Sequence, residues 1–270
     1  MRRVQQVTKT AIAAVAAAVI ALPASAASPV NYDPAAEVDV ELILAVDISQ
    51  SMDDDEQTIQ RKGYVSALTS PEVLEAIRIG PTGRIAVAYV EWGGDGEQYI
   101  VADWQIIDGP DTAAVFASKV AEAPLRQVQR TSITSALSFS VAMIDDNQYF
   151  GLRRVIDMSG DGPNNQGGQV TQARDLALTK GITINGLPLM MKGTGTGWYH
   201  MPNLDHYYED CVIGGPGAFT IPVHSKDSFA DAIRMKLVLE VAGLSPNPAN
   251  GRDTVMFAKG RRMVPCDLFN

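Results

Sequence analysis

An alternation along the chain constrains the fold more than any other feature. Between residues 38 and 242, apolar strand-like runs alternate with segments of helical periodicity, with one hairpin among them. "VDVELILAVD" (38–47) becomes almost continuously apolar after Glu41, as a strand covered on both faces should. A helix is expected over 53–69, with acids in its first turn where they suit the helix dipole, and with Ile59, Gly63 and Ala67 on one face. "RIAVAYVEW" (84–92) and "QYIVADWQII" (98–107) read as strands, and the short "GGDGE" between them implies an antiparallel hairpin. Helices follow over 111–123 and 132–146, the second carrying an Ile133, Ala136, Leu137, Ser140, Val141, Ile144 stripe. Then come a strand (153–162), a helix (169–180), a strand (182–190), a last strand "AFTIPV" (218–223) and a closing helix (226–242). Such a rhythm implies a doubly wound, Rossmann-like α/β sheet, mostly parallel with one antiparallel edge strand and helices on both faces. Two segments fall outside it, an insertion around 191–214 and a C-terminal extension over 243–270.

Residues 1–26 read as a secretory signal peptide. Arg2, Arg3 and Lys9 precede the apolar "AIAAVAAAVIAL" (11–22), and Pro23 leads into "ASA" (24–26). That apolar run is shorter than the roughly 20 residues of a spanning helix, so no transmembrane anchor is expected in the mature protein, which would be periplasmic or secreted. The leader holds three of the 22 basic residues and no acidic one, leaving 19 basic against 31 acidic residues and a net charge of −12. A surface of that sign repels nucleic acid and is compatible with cations. Cys211 and Cys266 are the only cysteines, and in an exported chain one disulfide is the expected state.

Ligands of open α/β sheets bind beyond the carboxyl ends of the strands, and three polar clusters fall at or beside such ends. Asp47, Ser49 and Ser51 follow the first strand in "DISQS", Thr131 enters a helix in "QRTSITSAL", and Asp161 ends a later strand in "MSGDGPNN". Two carboxylates and three hydroxyls are hard donors that suit Mg²⁺, Mn²⁺ or Ca²⁺ rather than zinc or copper. The acids Asp53 to Glu56 read as a solvated helix start rather than as ligands.

Asp-x-Ser-x-Ser after the first strand, a threonine five residues before "AL", and "SGDG" on a later strand resemble the von Willebrand factor type A domain over roughly 38–242. More narrowly, "VDVELILAVDISQSM" with "CVIGGPGAF" (211–219) resembles a group of bacterial exported proteins carrying that domain. The resemblance implies a metal-ion-dependent adhesion site: Ser49, Ser51 and Thr131 coordinating through hydroxyls, Asp47 and Asp161 directly or through water, Mg²⁺ as the expected ion. An Asp or Glu of a protein partner would fill the open position. Two departures stand out, "SGDG" for the commoner "TDG" and Arg130 where a glycine often precedes the threonine.

Other readings predict different things. A scaffold role would need only a structural metal, with no open position. A hydrolase would need Gly-x-Ser-x-Gly, and Ser159 in "DMSGD" lacks the first glycine. A phosphotransferase of the haloacid dehalogenase type would need an aspartate where Ser49 stands, and none of His200, His206 and His224 lies beside a strong nucleophile. "GTGTG" (193–197) is followed by Trp198 and Tyr199, not by the Lys-Ser/Thr of a phosphate loop. No enzyme is expected. Trp198, Tyr199, Tyr207 and Tyr208 either contact a partner or cover the insertion's own small core.

Overall fold

The computed structural model describes residues 34–191, 201–246 and 263–267; the expected leader, the "GTGTG" run, Trp198, Tyr199 and His200 lie outside the described residues. Among these residues five strands form one sheet: β1 (Glu37–Asp47), β2 (Ile85–Trp92), β3 (Gln98–Ile107), β4 (Phe150–Gly160) and β5 (Ile182–Pro188). Their order is β3-β2-β1-β4-β5. β1 runs parallel to both β2 and β4, β4 runs parallel to β5, and β3 is the antiparallel edge strand of the expected hairpin. Among the described residues seven α-helices accompany them: α1 (Asp54–Leu68), α2 (Pro71–Arg78), α3 (Pro110–Glu122), α4 (Ile133–Asp145), α5 (Val170–Thr179), α6 (Leu204–Tyr207) and α7 (Phe229–Ala242). A π-helical turn, Tyr208–Val212, continues α6.

β1 is buried from Val38 to Asp47, which explains its unbroken apolar sequence. Its alternate residues feed two cores. Val40, Leu42, Leu44 and Val46 pack with α1, α2, α3 and α7, while Ile43 and Ala45 pack with α4, α5 and the 204–212 segment. The chain leaves β1 toward β2 on one side and returns from β3 to β4 on the other. That reversal opens a crevice beyond the carboxyl ends of β1 and β4.

Three expectations need correction. Residues 218–223 do not form a sixth strand: they make only isolated bridges, Thr220 with Gly186 and Val223 with Leu189. Pro188 and Pro222 lack the N–H groups a continuous ladder needs, and the Asn185 side chain accepts from Phe219 N instead (3.1 Å). α2 is a helix where none was expected; Ser70 caps it through Val73 N and Pro71 opens it. The inner face of α1 is also largely polar. Glu56, Gln57, Gln60 and Arg61 are buried along with Gly63, Tyr64 and Ala67, while Ile59 is only partly buried. Gly63 lets α7 come close, since a side chain there would begin 2.7 Å from Ile233 Cδ1.

A buried ionic network ties α7 to the sheet. Lys236, Asp157 and Glu240 are each at most 2 % exposed. The Lys236 ammonium lies 2.6 Å from Asp157 Oδ1 and is also paired with Glu240, one turn along the helix. Asn185 Nδ2 donates to Glu240 Oε1 (2.9 Å). One ammonium faces two carboxylates, so burial, and then the charge of Asp157, push Glu240 from its ordinary 4.5 up to about 7. Removing the cation should therefore be severe: Lys236→Met is expected to cost about 3–5 kcal/mol in urea unfolding at neutral pH. A raised folded-state value means that stability is fullest below about pH 4.5 and is lost as pH rises through about 7. Glu240→Gln lacks that loss, so its denaturation midpoint should gain on the wild type's between pH 5 and pH 8.

Candidate metal centre

The first loop begins where β1 stops. Asp47 Oδ1 accepts from Ser49 N (2.7 Å), which folds the chain back so that the Ser49 and Ser51 hydroxyls meet at 2.9 Å. Ser49 is itself fixed by a parallel bridge to Val128, and Met52 N donates back to Ser49 O (2.9 Å). Behind the loop, the acidic run is spent on the helix. Glu56 N donates to Asp53 Oδ1 and Asp53 N to Glu56 Oε2, a capping box that starts α1.

The second loop delivers Thr131, 4 % exposed, just ahead of α4, whose N-cap is Ser132. Arg130 occupies the left-handed region at φ 69°, a conformation that glycine adopts freely and that carries strain of about 1–2 kcal/mol in a residue with a side chain. The departure from glycine thus changes the strain at this point without forbidding the turn. The third loop follows β4 and carries Asp161, whose Oδ1 accepts from Ser51 Oγ at 2.5 Å.

Two asparagines lace the second and third loops together. Asn165 Oδ1 accepts from Thr131 N (3.0 Å), and Asn165 N donates to Thr131 O (2.8 Å). Asn164 Oδ1 accepts from Thr134 N (3.1 Å) while its Nδ2 donates to Gly168 O (2.9 Å). Both asparagines sit in the "GPNN" stretch, where polarity alone does not mark them as ties between loops.

Ser49, Ser51, Thr131 and Asp161 therefore line one open cavity of about 470 Å³, shared with Arg130 and Gly162. Asp47 lies just beneath, wholly buried. Its Oδ2 has no hydrogen-bond partner among the described residues. Burial, and then the charge of Asp161, push the Asp47 carboxyl up to about 8. The Ser49 hydrogen bonds and the Asp161 backbone moderate this rise, the latter without completing a bond to Oδ2. All five expected donors thus meet at one place. Among the described residues, no group of three or more His, Cys, Asp or Glu side chains forms an alternative centre.

Other candidates fall elsewhere. His206 and His224 do not line the cavity, and Ser159 is buried between Gln60 Nε2 (3.0 Å) and Ala45 O (3.4 Å). Tyr207 and Tyr208 neither reach outward nor cover a separate small core; they are buried in the main core beside α4 and α5. Cys211 is bonded to Cys266, which ties the tail segment 263–267 to the π-helical turn.

The sheet order, the antiparallel edge and the three converging loops define a von Willebrand type A fold. Solved structures agree on that fold. The pilus adhesin SpaC from Lactobacillus rhamnosus GG, in its open conformation, matches with TM-score 0.55 and 12% identity over 76% of this chain and 30% of its own. The von Willebrand factor type A protein from Catenulispora acidiphila matches with TM-score 0.53 and 14% identity over 77% of this chain and 43% of its own. Proximal thread matrix protein 1 from the mussel byssus, described with a zinc-occupied MIDAS motif, matches with TM-score 0.51 and 13% identity over 76% and 48%. This chain thus spans less than half the length of each of the three. Within the fold class, residues 37–245 match the family described as "Protein of unknown function (DUF1194)", and the chain belongs to it. No curated protein matches the sequence.

The lacing of the loops can be tested by itself. Asn164→Ala would orphan the Thr134 amide and leave the Gly168 carbonyl only the Thr134 hydroxyl as donor, and should destabilise the protein by about 1–3 kcal/mol in chemical unfolding.

Proposed function

We propose that this is an exported recognition protein. In this reading Asp47, Ser49, Ser51, Thr131 and Asp161 hold a divalent cation that binds an Asp or Glu side chain of a protein partner. The observation that carries it is Asp47 Oδ2, a buried carboxylate oxygen without a partner among the described residues, beside a second carboxylate and three hydroxyls. Protein alone satisfies such an oxygen poorly, and a dication fits it. The donor set is all oxygen, which favours Mg²⁺, with Mn²⁺ or Ca²⁺ as substitutes. Zinc, named for the mussel protein, is less suited to a set without sulfur or imidazole.

The residues divide the work. Two carboxylates supply the negative charge, and the three hydroxyls add donors without adding charge. A bound dication would supply the open coordination position that an incoming carboxylate occupies. Arg130 at the rim supplies positive charge that favours the same partner group. The breadth of the cavity favours recognition over a purely structural metal, because a partner's side chain has room to enter. Ser159, sealed in the core, gives no support to a hydrolase. The Cys211–Cys266 bridge and the adhesin among the similar structures are consistent with export and with a protein as partner. Among the described residues no helix is long and apolar enough to cross a membrane.

Calorimetric titration with Mg²⁺ and Mn²⁺ checks the reading. Saturable binding is expected for the wild type, weakened at least about a hundredfold in the Asp47→Ala, Ser49→Ala variant. At a metal concentration of 100 Kd the wild type alone should gain about 2.7 kcal/mol of stability. Absence of binding, or equal binding by the two proteins, would overturn it.

A further inference from the structure

The segment 201–214 lies outside the βα rhythm, yet it reaches the underside of the candidate metal centre. Its two adjacent tyrosines face different loops. Tyr207 Oη accepts from Asn164 N (3.2 Å), in the loop that carries Asp161. Tyr208 Oη is buried and has no hydrogen-bond partner among the described residues, and the same holds for Asp47 Oδ2. Both atoms converge on Gly160. The point where a side chain would begin on Gly160 lies 2.8 Å from Tyr208 Oη and 2.9 Å from Asp47 Oδ2. The two oxygens are thus no farther apart than two hydrogen bonds laid end to end, the span of one bridging water. Their chemistry is complementary, since a phenol offers an O–H donor and a carboxylate oxygen accepts.

The segment is held firmly enough to place an atom there. Ile213 N closes the π-helical turn onto Tyr208 O (2.9 Å), and Cys211 is bridged to Cys266. Arg174 Nη1 donates to Asp210 O (2.9 Å), and Val264 N donates to Asp210 Oδ2 (2.8 Å).

We infer that Tyr208 is a positioning residue of the metal centre. Through one bridging water its hydroxyl donates to one lone pair of Asp47 Oδ2, leaving the other for the cation, and holds that carboxylate in the orientation in which Oδ1 receives Ser49 N. This rests on the proposed role of Asp47 in cation binding. The disulfide-tethered segment then belongs to the site rather than decorating it.

Mn²⁺ titration of the full mature protein, wild type and Tyr208→Phe, tests the inference alongside thermal unfolding of both without metal. The expected result is a 10- to 100-fold loss of Mn²⁺ affinity with the metal-free melting temperature lowered by no more than about 4 °C, the effect of one buried hydrogen bond. Equal affinity in the two proteins would overturn the inference while leaving the cation reading intact. A larger fall in metal-free stability would assign Tyr208 a general structural role, and so would also overturn it. Failure of the wild type to take up Mn²⁺ would instead sink the cation reading and the inference with it. A high-resolution crystal structure of the metal-free protein adds a second arm. A water bonded to both oxygens supports the inference, and a Tyr208 hydroxyl paired elsewhere, or with no water between it and Asp47, refutes it.

Discussion

The carboxylate of Asp47 is the constraint around which this molecule is arranged. It ends a strand buried on both faces, so it enters a region where an ionised oxygen is poorly tolerated. One oxygen is satisfied by the loop it starts, through Ser49 N. The other remains unpaired among the described residues, and Asp161 brings a second negative charge close to it. The surrounding sheet supplies the rigidity that keeps two like charges together. β1 and β4 are hydrogen-bonded neighbours along most of their length, and their adjacent ends fix the separation of the first and third loops.

Rigidity beneath the site is obtained from polar side chains as much as from apolar packing. Gln60 reaches from α1 to Ser159 on β4, two residues before Asp161. Arg61 pairs with buried Glu91 on β2 and also donates to Ala123 O beyond α3. Lys236 ties α7 to Asp157 on β4. These bonds are directional, so they fix helix position along the sheet more tightly than an apolar stripe can. The strand that presents Asp161 is the common member of two of these ties.

Much of this was legible in the sequence. The mostly parallel sheet with its antiparallel edge strand followed from apolar runs alternating with helical stripes, and the candidate site from oxygen donors falling at strand ends. Other features were hidden for physical reasons. Lys236 and Glu240 have the i, i+4 spacing of an ordinary solvated pair, and only the chain's three-dimensional path puts them under the sheet. Glu56, Gln57, Gln60 and Arg61 look like an outer helix face by polarity, but their partners come from distant segments. The helix at Pro71–Arg78 did leave a local signature, Ser70 before Pro71, which a reading centred on long stripes passes over. Tyr207 at the end of α6 and Tyr208 at the start of the π-helical turn both turn inward, a geometry with no clear sequence mark.

The central claim is that the three loops form a cation site, and anomalous diffraction from crystals grown with saturating Mn²⁺ tests it most directly. The account predicts an anomalous peak in the cavity between Ser49, Ser51 and Thr131, with Asp47 and Asp161 bonded to it or to its waters. A cavity without such a peak at saturating Mn²⁺, or Mn²⁺ bound only elsewhere on the molecule, would contradict it.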